Sequence, residues 1–147
     1  MNERKPQAMN NYGKLHAFLK NGKLRGRVLK EDCPSRRILL HLTSRWGGLV
    51  LVALYPGTKR FNVLHREIEG ISERMLTQAL QRLEGDGMVL RRAFDTVPPH
   101  VEYSLTHFGR QAAERFNTLV EWLEENLEDI LVASGRNEQS ARSKRDL

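Results

Sequence analysis

Residues 70–92 read "GISERMLTQALQRLEGDGMVLRR". Gly70–Ile71 makes a tight break, and Ser72 is a good N-cap for the helix that follows. With Ser72 as the cap, Ile71 at N′ can pack on Leu76 at N4, the hydrophobic staple pairing. Leu76, Leu80 and Leu83 recur at i, i+4 and i+7, so they face inward. Gly85–Asp86–Gly87 ends the helix. At 100° per residue the outward side carries Arg74, Gln78 and Gln81, flanked by Thr77 and Arg82. No acid lies in its centre; Glu73 and Glu84 stand at the two ends. A helix face chosen for solubility would mix Glu with Lys across this surface. Arg and Gln are instead the side chains that read guanine and adenine through paired hydrogen bonds, and Thr can touch a thymine methyl.

The neighbouring segments give this helix a context. Upstream, Asn62 is the expected N-cap of a short helix bearing Val63, Leu64 and Ile68, preceded by a short strand at 59–61. A short helix joined by a glycine-containing turn to a second helix is a helix-turn-helix unit. Its second helix enters the major groove in DNA-binding examples. Downstream, "MVLRRAF" (88–94) reads as a strand with Met88, Leu90 and Phe94 on one side. "HVEYSL" (100–105) places Val101, Tyr103 and Leu105 on one side. "DTVPP" (95–99) is too proline-rich to pair and forms the loop of a hairpin. A helix-turn-helix followed by a hairpin is a winged helix, and the fold class is mainly α (α+β). Arg91 and Arg92 flank the hairpin loop; one is expected to point toward phosphates or the minor groove, and the other either does the same or only covers the sheet. Lys59 and Arg60 precede the motif, in position for phosphate.

Further out, Pro34 suits the first position of a helix whose apolar face is Ile38, Leu39 and Leu42. "WGGLVLVALY" (46–55) is a buried helix or a buried strand. Thr106 can cap a last helix, spanning about 106–131. There Phe108, Ala112, Phe116, Leu119, Leu123, Leu127 and Ile130 form one seam. At roughly 24 residues it exceeds the mean helix length of about 11–12. The seam is expected to be a dimer interface rather than packing within one subunit.

The chain has 147 residues, about one domain, and a net charge of +6. Residues 1–30 hold eight Lys/Arg against one acid, whereas 111–132 hold one Arg against six acids. A basic arm beside an acidic late helix suits a protein that binds a polyanion. Three divisions are expected: residues 1–32 a partly ordered basic arm, 33–132 the winged-helix domain with its dimerisation helix, and 133–147 a disordered tail. No stretch is apolar enough to span a membrane and no secretory leader is seen. The single cysteine, Cys33, fits a reducing cytosol, so a cytoplasmic location is expected, at the nucleoid when DNA is bound.

Catalysis would need Cys33 as nucleophile with a histidine base. None of His16, His41, His65, His100 and His107 lies in a recognisable catalytic phrase. Metal ligation needs Cys, His or Asp at short spacing, which "HVEYSLTH" (100–107) does not supply on one helical face. Neither enzyme activity, metal nor cofactor is expected. The alternative to DNA binding is a winged-helix module that binds protein only, and a steep salt dependence on DNA would separate the two.

The phrases "RFNVL" (60–64), "GISERMLTQALQRLEGDGMVLRR" (70–92) and "VPPHVEYSLTHFGR" (97–110), with the spacing of Cys33, Pro34 and Trp46, resemble the HxlR-type winged helix-turn-helix transcription regulators of bacteria and archaea. The resemblance runs from Cys33 to Val132. It implies a homodimeric DNA-binding regulator, such as a repressor, whose end helices form the dimer and whose two recognition helices address an inverted repeat. It also implies that Ser72, Arg74, Thr77 and Gln78 lie at the DNA. Several such regulators respond to electrophiles or oxidants through the cysteine that aligns with Cys33, so an oxidant or small-molecule inducer is a further expected partner. The chain departs from the pattern at "TSRW" (43–46), in its long basic arm, and at His100, where a basic wing residue is common. Read locally, Cys33 is the N-cap of the helix starting at Pro34. The helix end and Arg36 and Arg37 favour the thiolate there, against Glu31 and Asp32. Cys33 is thus either a reactive thiol or a buried structural one.

Overall fold

In the computed structural model, residues 18–135 are described. The expectations for the start of the basic arm and the end of the tail lie outside the described residues. From Leu19 to Lys30 the arm is not helical. Strands β1 (Leu19–Lys20) and β2 (Lys23–Leu24) pair antiparallel about Asn21–Gly22. Both turn residues have positive φ, 53° and 70°, the conformation that Asn-Gly favours in a two-residue hairpin.

Helix α1 (Pro34–Leu42) starts with Pro34 in its first turn and Cys33 as N-cap. Leu42 packs on the core, but Leu39, expected inside, is exposed. The ambiguous run 46–55 is helical: α2 (Gly47–Leu54) buries Val50, Leu51 and Leu54 at the centre of the molecule. Strand β3 (Lys59–Arg60) runs straight into α3 (Phe61–Glu67), so the N-cap is Arg60, not Asn62, and Asn62 lies on the exposed side of the helix. Helix α4 (Glu73–Gly85) follows, then the hairpin β4 (Val89–Phe94) and β5 (His100–Leu105), and then α5 (His107–Glu125). The three strands form one antiparallel sheet in the order β3-β5-β4.

The alternation of β4 is the reverse of the one expected. Val89 is 1% exposed and Leu90 57%. The register pairs Val89 with Leu105 and Arg91 with Tyr103, so the odd-numbered residues share the inward face with Val101, Tyr103 and Leu105. A shift of one residue moves every side chain of a strand to the other face. Arg91 therefore points along the face of Tyr103, and Arg92 along the opposite one.

The last helix is pinned by its first turn. Thr106 accepts a hydrogen bond from Gly109 N–H at 3.0 Å and donates its own hydroxyl to Gly87 O at 2.6 Å. Gly109 then passes so close to the α4–β4 turn that a Cβ there would lie 1.8 Å from Met88 O. Ala112 and Phe116 pack against the chain's own core, and a Cβ on Gly48 of α2 would meet the Phe116 ring at 2.7 Å. These two residues, expected in the dimer seam, serve the subunit's own core. The helix expected over 106–131 is also interrupted. Asn126 donates its side-chain amide to Trp122 O and closes α5, and residues 127–135 continue as a separate helical segment. The first residues of the expected tail, 133–135, are thus helical.

Gly109→Ala is expected to destabilise the fold by about 1–3 kcal/mol through backbone overpacking. A urea midpoint equal to that of the parent protein would contradict this account of the α5–turn contact.

Candidate nucleic-acid interface

The outward face of α4 is built from its ends. Ser72 Oγ accepts Met75 N–H at 3.1 Å, which fixes the first turn, and Ile71 and Leu76 are both buried. Leu76, Ala79, Leu80 and Leu83 enter the core. Ser72, Arg74, Thr77, Gln78, Gln81 and Arg82 are all exposed, as the sequence predicts.

Between α4 and the sheet lies an open cleft of about 730 Å³. Four of the predicted residues meet there: Arg60 from the end of β3, Thr77 and Gln81 from α4, and Arg91 from β4. Phe61, Val101 and Tyr103 line it on the apolar side, and Pro98, Pro99 and His100 belong to the hairpin end. Ser72, Arg74, Gln78 and Arg82 lie on α4 outside this cleft. Arg92 lies on the other side of the wing, its guanidinium 4.7 Å from the centre of the Phe94 ring. Lys59, expected as a phosphate contact, is engaged by Glu67. Sequence reasoning did not place Glu73 and Glu84 at the cleft, which both line, nor Asn62 and His100. The 4, 4, 3 spacing of Glu73, Thr77, Gln81 and Glu84 is the signal that could have placed the two acids there, whereas Asn62 and His100 are revealed only by the approach of separate elements. Among the described residues no group of three or more His, Cys, Asp or Glu could hold a metal ion.

The acidic α5 and the segment after it leave large apolar side chains uncovered. Phe108, Leu119, Leu123 and Leu127 are exposed, as is Trp122, which the seam spacing does not include.

Cys33 is buried beneath the end of the basic arm. Its Sγ receives Arg27 N–H at 3.3 Å and lies 3.1 Å from Ser35 Oγ. Burial pushes the thiol up. The Ser35 hydroxyl, the Arg27 N–H and a lesser pull from the Ser35 N–H, which falls short of a full cap, act the other way and leave it below its ordinary value. Asp32 opposes them. The shift thus comes from hydrogen bonds, one of them from the helix end as expected, and not from Arg36 and Arg37.

The family model of the HxlR-like helix-turn-helix matches residues 41–130. The HTH-type transcriptional regulator YtfH of Escherichia coli is 53% identical over 116 residues, 79% of this chain and 90% of that protein. The solved structure of the transcriptional regulator ytfH from Salmonella typhimurium superposes with a TM-score of 0.72 at 50% identity, covering 76% of this chain and 99% of that one. The redox regulator HypR in its oxidized form gives 0.59 at 41% identity, over 64% of this chain and 97% of that one.

Ser35→Ala is expected to move the pH midpoint of Cys33 alkylation upward, toward the ordinary thiol value of 9.0. Removing the hydroxyl takes away the largest influence that favours the thiolate. A midpoint that stays in place would show that the hydroxyl does not stabilise it.

Proposed function

The chain belongs to the HxlR-like helix-turn-helix family, and we propose that it is a sequence-specific DNA-binding transcriptional regulator that acts as a homodimer on an inverted-repeat operator. The observation that carries this reading is the exposed, polar face of α4, with no acid at its centre, opposite a fully buried stripe. In this reading Arg74, Thr77, Gln78, Gln81 and Arg82 address base edges in the major groove. Ser72, with the N–H groups of the first turn of α4, meets a phosphate, and Arg60, Arg91 and Arg92 meet the flanking backbone. The protein is non-enzymatic and works in the cytoplasm at the nucleoid; no single helix among the described residues is long and apolar enough to cross a membrane.

Dimerisation is proposed through Phe108, Leu119, Trp122, Leu123 and Leu127. Large exposed apolar side chains on α5 and on the segment that follows it are the usual mark of a partner surface. Two reading heads so joined would address half-sites about 34–36 Å apart. Control as a repressor through Cys33 is the accompanying proposal, supported by the lowered thiol and by the likeness to HypR. With no second cysteine, oxidation leads to a sulfenic acid, a mixed disulfide with a small thiol, or a Cys33–Cys33 bridge between subunits.

Arg74→Ala or Gln78→Ala is expected to cost about 1–3 kcal/mol on the cognate site selected from genomic DNA, and much less on random DNA. Equal losses on both would mean these residues touch only phosphate. Sedimentation at micromolar concentration is expected to give a dimer, and Trp122→Glu a monomer; a monomeric parent protein would overturn the proposed assembly.

A further inference from the structure

The outer face of the wing carries a four-residue block. The register sets Arg92 opposite Glu102 and Phe94 opposite His100. The Phe94 and His100 rings are stacked, 4.6 Å between centres and 13° apart, and the Arg92 guanidinium lies over the same Phe94 ring. Glu102 is flanked in register by two arginines, Arg92 on β4 and Arg60 on β3. Among the described residues, however, its ion pair is with neither of them. Its Oε1 lies 3.4 Å from His100 Nε2.

With the Thr96 hydroxyl held by Pro98 O, the hydrogen bonds of the loop favour Nδ1 as the nitrogen that carries the first proton. Thr96 donates its hydroxyl to Pro98 O at 2.8 Å. A hydroxyl has one hydrogen, so toward His100 Nδ1, 3.1 Å away, Thr96 Oγ1 can only accept. Nδ1 is therefore a donor in every protonation state that keeps both Thr96 bonds. The proton that comes and goes is the one on Nε2, which faces Glu102. With it, Nε2–H donates to the carboxylate. Without it, a nitrogen lone pair faces a carboxylate oxygen, and the contact is repulsive. The carboxylate released in this way has Arg92 directly opposite, at the separation where cross-strand ion pairs form.

We infer that His100 is a positioning residue that makes the wing's hold on DNA depend on pH. Protonated, it keeps Glu102 off Arg92 and leaves the guanidinium free for a backbone phosphate. Neutral, it releases Glu102 to Arg92, and a phosphate must then compete with a carboxylate. Imidazole is the side chain that changes charge between pH 5 and 8. Affinity for DNA therefore rises as pH falls through that range. The other charged groups around His100 are Glu102 beside it on β5, Arg92 on β4, Arg60 on β3, Asp95 in the loop, and Arg91, Glu73 and Glu84 across the cleft. The inference rests on the reading of Arg92 as a phosphate contact.

The test uses the full chain and a short fluorescent duplex of random sequence, since phosphate contacts are blind to sequence. The expected result is binding about threefold tighter near pH 6 than near pH 8, the size of effect one exposed ion pair supplies. The slope of log affinity against log salt is expected to steepen by about 0.9 at the lower pH, as for one added phosphate contact. His100→Gln should remove this part of the pH dependence. Glu102→Gln should bind near pH 8 as the parent protein does near pH 6, and lose most of the pH dependence. A pH dependence that survives in Glu102→Gln would overturn the inference, because His100 would then act by its own charge alone. Survival in His100→Gln overturns it equally. Arg92→Ala separates the two readings. If it leaves affinity and salt slope unchanged, the phosphate role of Arg92 fails and the inference fails with it. If it weakens binding while the parent protein shows no pH dependence, only the inference fails.

Discussion

Everything at the reading surface depends on one buried stripe. Leu76, Leu80 and Leu83 are each no more than 1% exposed, and Ala79 fills the space between them. A helix of 13 residues with a single apolar stripe can be seated in only one rotation about its axis. That rotation puts Arg74, Thr77, Gln78 and Gln81 outward together. Changing the outward residues leaves the seat intact, whereas truncating a leucine of the stripe would open a cavity costing about 2–5 kcal/mol. The proposed reading chemistry and the stability thus occupy opposite sides of the same helix.

The wing is governed by a different constraint, the parity of its strands. Because β4 turns Val89 inward, Arg91 follows on the cleft side and Arg92 on the outer side. Two adjacent arginines therefore have two environments. Arg91 shares a cleft with Thr77 and Gln81, and Arg92 rests over an aromatic ring beside a histidine and a glutamate. The opposite parity would exchange these roles.

The helix-turn-helix was legible because its signals agree: a cap at Ser72, a staple at Ile71 and Leu76, a stripe at helical spacing and glycine-bearing stops. The exposed residues of α4 follow from that stripe by geometry alone. The parity of β4 was not legible, because Met88, Val89 and Leu90 are all apolar and a run without alternation has no phase. Thr106 N–H bonding Met88 O, together with the pairing to Leu105, decides it, and both partners lie far along the chain. Asn62 looked like a cap because its side chain suits one. The strand ending at Arg60 fed the helix earlier, with no side-chain cap at all. The break at Asn126 was hidden because Leu123, Leu127 and Ile130 keep their spacing across it. Ala112 and Phe116 fit the seam equally well, and the close approach of Phe116 to Gly48 of α2 shows which side of α5 the core claims.

The orientation of α4 relative to the wing is held at both ends. At the start, Ser72 ties the first turn while Ile71 is buried beside it. At the end, Asp86 forms the C-cap, and its nearly buried carboxylate pairs with Nδ1 of His41 on α1. The next residue, Gly87, takes the hydroxyl of Thr106, and Met88 O lies against the backbone of Gly109. Three consecutive residues of one turn are therefore bound to α1, to the start of α5 and to its first turn. A tight turn gripped by two other elements cannot swing the wing without breaking several contacts at once. In the proposed reading, the outward face of α4 and the wing arginines thus meet DNA already in position. That spares them the ordering cost of a loop that must find its geometry on binding.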